Sequence, residues 1–157
     1  MHEPDHERYM GMAVRQARMA MDEGEVPTGC VLVGTRAGEA HPGVIGLAHN
    51  QVELLKDPTA HAEMIAITQG ANALGDWRLS GTVLYVTKEP CAMCAGAIVL
   101  ARIPKVVFGT PDPLRGGAVS AFGILDHPRL NHRCEVVSGV LEEECRSLLQ
   151  SFFRARR

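Results

Sequence analysis

Apolar and polar positions along this chain follow two periods. From residue 6 to 23, Met10, Ala13, Val14, Ala17 and Met21 recur at helical spacing, which predicts an amphipathic helix ending near Gly24. Cys30–Val33 is a short unbroken apolar run and reads as a buried strand. Gly34 to Gly43 holds three glycines and a proline, so a turn or hairpin loop is expected before a returning strand at Val44–Ala48. A helix is predicted after Pro58, running to about Leu74 and carrying His61 in its first turns. Thr82–Val86 is strongly strand-like. Pro90 opens a helix to about Arg102, Pro104 breaks it, and Lys105–Phe108 is the next strand. A short strand at Cys134–Val137 and a helix from about Leu141 to Phe153 complete the pattern. This order predicts an α/β fold with a mixed sheet of about five strands and helices on both faces. The strand–helix–strand unit from Thr82 to Phe108 should be parallel and right-handed.

Composition changes this picture little. A chain of 157 residues fits a single domain (1–157) with one substantial core. Hydrophobic residues at 46% and charged residues at 22% are ordinary for a soluble globular protein. No apolar run is long enough to span a membrane. Met1-His2-Glu3-Pro4-Asp5-His6-Glu7 is polar and acidic and lacks the parts of a secretory signal, so a cytoplasmic location is expected. Five cysteines, two of them in a Cys-x-x-Cys, then suggest metal or redox chemistry before disulfides. The net charge of −2 does not advertise a polyanionic partner, but the arginines are unevenly placed. Arg129, His132 and Arg133 form one cluster, and Arg146, Arg154, Arg156 and Arg157 fall in the last twelve residues. These are either solvated surface charges or a localised phosphate-binding surface.

The chemistry sits in two strings: His61-Ala62-Glu63 and Pro90-Cys91-Ala92-Met93-Cys94. They offer one imidazole, two thiolates and a spare carboxylate. Zinc with three protein ligands keeps its fourth position for water, the pattern of a catalytic site. H-x-E followed by P-C-x-x-C is the known signature of zinc-dependent nucleobase deaminases. Cys91 and Cys94 are i and i+3 at a predicted helix start, on one face, where the positive helix end favours thiolate. Two helix starts aimed at one point would make an electropositive pocket. There zinc can lower the pKa of its water from about 15.7 to about 7, worth on the order of 12 kcal/mol. Glu63 lies two residues from His61, about 200° around a regular helix, so it is not expected to share the metal shell. Spacing does not fix its direction. Its expected task is to move the proton from water to the ring nitrogen and then to the leaving amine. A Cys-x-x-Cys alone could equally be a redox pair or half a structural zinc knot. A structural site would need a fourth ligand, and Cys30, Cys134 and Cys145 each sit in runs that suit a small core residue.

Beyond the metal strings, the chain resembles the bacterial tRNA-specific adenosine deaminase family of the cytidine deaminase-like, three-layer α/β/α fold. Gly24-Glu25-Val26-Pro27, Ala48-His49-Asn50, Asp57-Pro58-Thr59-Ala60-His61-Ala62-Glu63, Leu84-Tyr85-Val86-Thr87 and Glu89 to Ala97 carry the likeness. It continues through Ala101-Arg102-Ile103, Val106-Val107-Phe108-Gly109, Asp112, Gly116-Gly117, Leu130-Asn131-His132-Arg133 and Phe152 to Arg157. The resemblance implies hydrolytic conversion of adenosine to inosine at the wobble position 34 of a tRNA anticodon, typically in an arginine tRNA. It implies one zinc on His61, Cys91 and Cys94, with Glu63 as catalytic proton shuttle. It implies Asn50 on the flipped base, and Val26, Pro27 and Ala62 lining the pocket. Asp112 and Arg154 become candidate RNA contacts, and a homodimer binding the anticodon stem-loop is implied. An anticodon loop already presents unpaired bases, so extrusion costs less than from a duplex. Phe152 and Phe153 are either core or stacking platforms.

Two departures stand out. The 34–43 loop is several residues longer than in familiar bacterial members, an insertion hairpins tolerate at low cost. Thr28 replaces an expected apolar residue near the pocket. Two other readings compete: a deaminase of a free nucleobase, guanine or cytosine, on the same fold, and a non-catalytic zinc module that binds RNA. The spare Glu63 speaks against the module, and the basic ending against the free-base enzyme.

Overall fold

The computed structural model describes residues 3–156 of the chain. Its sheet has five strands: β1 (Gly29–Gly34), β2 (Gly43–His49), β3 (Val83–Lys88), β4 (Lys105–Thr110) and β5 (Glu135–Ser138). Their spatial order is β2-β1-β3-β4-β5. β1 runs antiparallel to β2 and to β3, while β3, β4 and β5 are parallel, so the sheet is mixed as predicted. The helices are α1 (Glu3–Asp22), α2 (Val52–Leu55), α3 (Ala62–Leu74), α4 (Ala92–Leu100) and α5 (Glu142–Ala155).

Side chains alternate across the sheet and build two apolar layers. Cys30, Leu32, Leu84, Val86, Val106 and Phe108 face α3 and α4. Val31, Val33, Tyr85 and Val107 face the other way, onto Tyr9, Met10, Ala13 and Val14 of α1 and Cys145 of α5. All three central strands are covered on both sides, which is why they read in the sequence as unbroken apolar runs. Leu32, Leu84 and Ile98 are fully buried, and truncating any of them to alanine should cost about 2–5 kcal/mol.

The element boundaries differ from expectation where caps intervene. His61 does not lie within a helix; it is the extended N-cap of α3 (φ −75°, ψ 151°). Cys91 is likewise the extended N-cap of α4 (φ −71°, ψ 177°). The second strand-following helix stops at Leu100, and Arg102 turns left-handed at φ 63° before Pro104. Cys134 stays outside β5 because its N–H is bonded to the Leu125 carbonyl. The four-residue α2 was not predicted, being too short to show a period.

Because β1 opposes its neighbours, its start meets the ends of β2, β3 and β4 along one edge of the sheet. Asn50, Glu89 and Pro90 follow β2 and β3 there, as does Pro111 after β4. Both capped helices also begin at that edge, where α/β sheets bind ligands.

Candidate active site

An N-cap residue is extended and points its side chain across the first helical turn, over peptide N–H groups that have no partner within the helix. His61 and Cys91 both occupy that place, and neither uses its side chain to cap. Cys94 is the third residue of α4, so Cys91 and Cys94 stand in the same N-cap and N3 relation that brings side chains together in a capping box. His61 Nδ1 lies 3.4 Å from Cys94 Sγ and 3.6 Å from Cys91 Sγ. The ligand atoms of the three residues all fall within 4.8 Å of one another. Metal–sulfur and metal–nitrogen bonds of about 2.3 and 2.0 Å in a tetrahedron give an N···S edge of about 3.5 Å. The three side chains therefore fit one four-coordinate ion, leaving a corner for a non-protein ligand.

Thiol ionisation follows the same geometry. The Cys94 thiol donates to Cys91, and this bond, with the His61 ring, pulls Cys91 down to about 3. Cys94 is pushed up by giving that proton and by burial. His61 is raised, chiefly by its bond to Cys91. Cys91 is thus the more readily ionised thiol of the pair. Among the described residues no fourth cysteine or histidine joins the cluster. Cys30 is buried in the layer under α3. The Cys134 thiol donates to the Ile103 carbonyl at 3.0 Å, and Cys145 packs beneath α1.

Glu63 is the second residue of α3 and 3% exposed. Its Oε1 is buried and has no hydrogen-bond partner among the described residues. Burial raises its pKa, offset in part by its own N–H and by His61. An orphaned buried carboxylate oxygen is costly unless something outside the chain meets it. Asn50 is oriented by α3: the Ala62 N–H donates to Asn50 Oδ1 at 2.8 Å. That bond leaves the Asn50 Nδ2 hydrogens as donors toward the cavity that Asn50 lines.

The cavity holds about 580 Å³, and its walls include His61, Glu63, Cys91, Asn50, Val26 and Thr28. Arg156 hangs over its mouth, with its guanidinium 4.2 Å from the Phe152 ring centroid and Nη2 donating to the Gly24 carbonyl at 2.9 Å. Phe152 is buried beneath it, whereas Phe153 is 48% exposed. Pro27 and Ala62 are buried and lie behind the wall, not on it. Asp112 and Arg154 line a neighbouring groove and not the cavity beside His61 and Cys91. Arg157 lies outside the described residues. The cluster at Arg129, His132 and Arg133 is away from both: His132 Nε2–H donates to the Ile103 carbonyl and Arg133 pairs with Asp126.

Sequence reasoning missed two buried carboxylates. Glu25 accepts from the N–H groups of Glu53 and Leu54 and so fixes the start of α2 against the cavity. Glu89 accepts from the N–H groups of Asp112, Val119 and Ser120 and from the Ser120 hydroxyl. Gly116 packs so close that a Cβ there would lie 2.4 Å from the Glu89 carboxyl carbon. Burial raises the Glu89 pKa, but these hydrogen bonds outweigh it and hold the group below its usual value. An acidic residue directly before Pro90-Cys91, at the end of an apolar strand, was the available signal. Helical phase was another: Phe152 and Arg156 are i and i+4, as are Gln150 and Arg154, so the two arginines face different hollows.

A family model for MafB19-like deaminases matches residues 4–157. The tRNA-specific adenosine deaminase of Bacillus subtilis (strain 168) is 51% identical over 96% of this chain and 90% of its own length. A solved tRNA:A34 deaminase, a protein of A-to-I editing at the wobble position of transfer RNA, superposes with a TM-score of 0.81 at 40% identity, covering 90% of this chain and 99% of that one. A guanine deaminase from Bacillus subtilis is more distant, with a TM-score of 0.62 at 29% identity over 99% of this chain and 94% of its own. The chain belongs to the MafB19-like deaminases and, within that family, to the tRNA-specific adenosine deaminases.

Proposed function

We propose that the protein converts adenosine at wobble position 34 of a tRNA anticodon to inosine by hydrolysis, with one zinc ion held by His61, Cys91 and Cys94. The observation that carries this reading is the buried Glu63 Oε1, without a partner among the described residues, in the cavity that His61 and Cys91 also line. A purely structural metal knot has no use for it. When bound, zinc supplies the Lewis acidity that makes water a nucleophile near neutral pH. Glu63 Oε1 takes one proton of the attacking water and passes it to the purine ring nitrogen, then takes the second from the hydroxyl added to the ring carbon and gives it to the amine, which leaves as ammonia. Asn50, locked by the Ala62 N–H, donates from Nδ2 to an acceptor on the flipped base. Val26 and Thr28 bound the base on one side, with Pro27 and Ala62 setting the backbone behind them. Arg156 and Arg154 meet phosphates, and Asp112 shapes the loop beside them.

An arginine tRNA is the expected substrate, through its anticodon stem-loop. Residues 1–157 act as one catalytic domain in the cytoplasm, as a homodimer. Among the described residues no helix is long and apolar enough to cross a membrane. The test offers zinc-loaded protein an anticodon stem-loop with adenosine at the wobble position and, in parallel, free adenine, guanine and cytosine. Inosine only in the RNA is expected. Product only from a free base would replace this reading with a nucleobase deaminase, and RNA retention without product would replace it with a binding module.

A further inference from the structure

Beside the metal cavity lies a second hollow of about 710 Å³, between the segment following β4 and one face of α5. Its walls include Thr110, Asp112, Gln150 and Arg154. Two residues line both hollows, Lys88 and Phe153. Any ligand that occupies both must therefore cross a ridge made of an ammonium group and an exposed phenyl ring. A free base or nucleoside fills only one side. A polynucleotide has an anionic linkage at the crossing and a second base beyond it.

The charges favour that ligand. Lys88 closes β3, its backbone fixed by pairing with Thr110 of β4, and its side chain is 31% exposed. Its ammonium bonds Asp112 Oδ2 at 3.1 Å, which uses one of three N–H donors. Asp112 is engaged on both oxygens, since Oδ1 accepts from the N–H groups of Leu114 and Arg115. The Asp112 carboxylate is shared between the Lys88 ammonium and two peptide N–H groups, so Lys88 keeps two N–H donors for an anion at the ridge. Arg146 is paired with Glu142 and Glu143, so its charge is neutralised locally. Arg154 donates its Nε–H to the Gln150 carbonyl, and among the described residues no carboxylate lies within ion-pair distance of it.

We propose that Lys88 binds the phosphodiester joining the target adenosine to a neighbouring nucleotide that lies along this groove, with the exposed Phe153 ring against its base. This rests on the RNA-deaminase reading above and adds a residue that selects a polynucleotide over a nucleoside. Lysine recognises phosphate as a point charge, so removing either charge should remove the same interaction.

The test compares wild type, Lys88→Met and Lys88→Arg on anticodon stem-loops carrying one neutral methylphosphonate linkage, placed 5′ or 3′ of the wobble adenosine or at a distant stem position. Wild type should lose roughly tenfold in kcat/KM with one of the two flanking neutral linkages and little with the distant one. Lys88→Met should lose a similar factor on the all-phosphate RNA and nothing further when that same linkage is neutral, while Lys88→Arg recovers most of the rate. A role confined to holding Asp112 would leave the penalties of variant and linkage independent, and that result overturns the proposal. Wild-type rates from Lys88→Met on the all-phosphate RNA overturn it as well. Absence of inosine with wild type on the all-phosphate RNA would instead bring down the RNA-deaminase reading, and the Lys88 contact with it.

Discussion

Replacing Glu89 by glutamine tests how the loop after β4 is held to the metal helix. In the native protein one carboxylate accepts four hydrogen bonds: Oε2 from the Val119 and Ser120 N–H groups at 2.8 Å each, Oε1 from the Asp112 N–H at 3.0 Å and the Ser120 hydroxyl at 2.6 Å. Glutamine keeps one acceptor oxygen and turns an NH₂ group toward the other donors. At best the oxygen stays under Val119 and Ser120 and the serine hydroxyl rotates to accept. The Asp112 N–H then faces another donor, at a cost of about 1–3 kcal/mol, and two bonds drop from charge-assisted to neutral, costing about 1 kcal/mol each. The sum is about 3–5 kcal/mol. Because the donors all belong to one loop, the loss should appear there first. Hydrogen exchange at the Val119 and Ser120 amides should quicken by at least about a hundredfold at pH 7. The sign of the pH dependence follows from the lowered pKa of Glu89. Its contribution is complete above the unfolded value of about 4.3 and lost as pH falls through the folded value. The difference between wild type and Glu89→Gln should therefore be flat from pH 7 to 5 and shrink below about pH 4. Unchanged exchange at both amides would refute the view that Glu89 anchors this loop.

Three further outcomes are expected. Glu63→Ala should keep its zinc, by elemental analysis, yet lose at least roughly a hundredfold in kcat, the range of a general acid/base; near-normal turnover would remove Glu63 from the chemistry. Asn50→Ala frees the Ala62 N–H and removes the donor on the base, so kcat/KM should drop by about ten- to a hundredfold with zinc retained; an unaltered kcat/KM would show that Nδ2 does not touch the base. Replacing Arg154, Arg156 and Arg157 together by alanine should weaken RNA binding and flatten its salt dependence by roughly 0.7 in log–log slope for each phosphate no longer neutralised, and an identical slope would exclude this segment from phosphate binding.

The strands and the gathering of His61, Cys91 and Cys94 were legible from sequence for related reasons. Burial on both faces writes Val31, Leu32 and Val33 as a continuous apolar run, and a proline or an Asp-Pro-Thr turn marks each helix start that contributes to the cluster. The direction of Glu63 was not legible, because the 200° estimate places His61 inside a helix. His61 is in fact the extended N-cap, so the angle between the two side chains is set by the cap and not by helical pitch. Glu25 and Glu89 were hidden for another reason. Their partners lie 28 to 31 residues away, or 23 in the case of Asp112, and no periodicity reports a buried carboxylate reaching across the fold. Arg154 and Arg156 looked interchangeable in a basic ending, yet two residues of helical phase send them to different hollows.

X-ray absorption at the zinc edge of the purified protein speaks most directly to the whole scheme. It should show one zinc per chain with two sulfur and two lighter neighbours, reduced to one sulfur in Cys91→Ser. A shell of three sulfurs, or of four protein side chains, would leave no open corner and would contradict a catalytic centre at His61, Cys91 and Cys94.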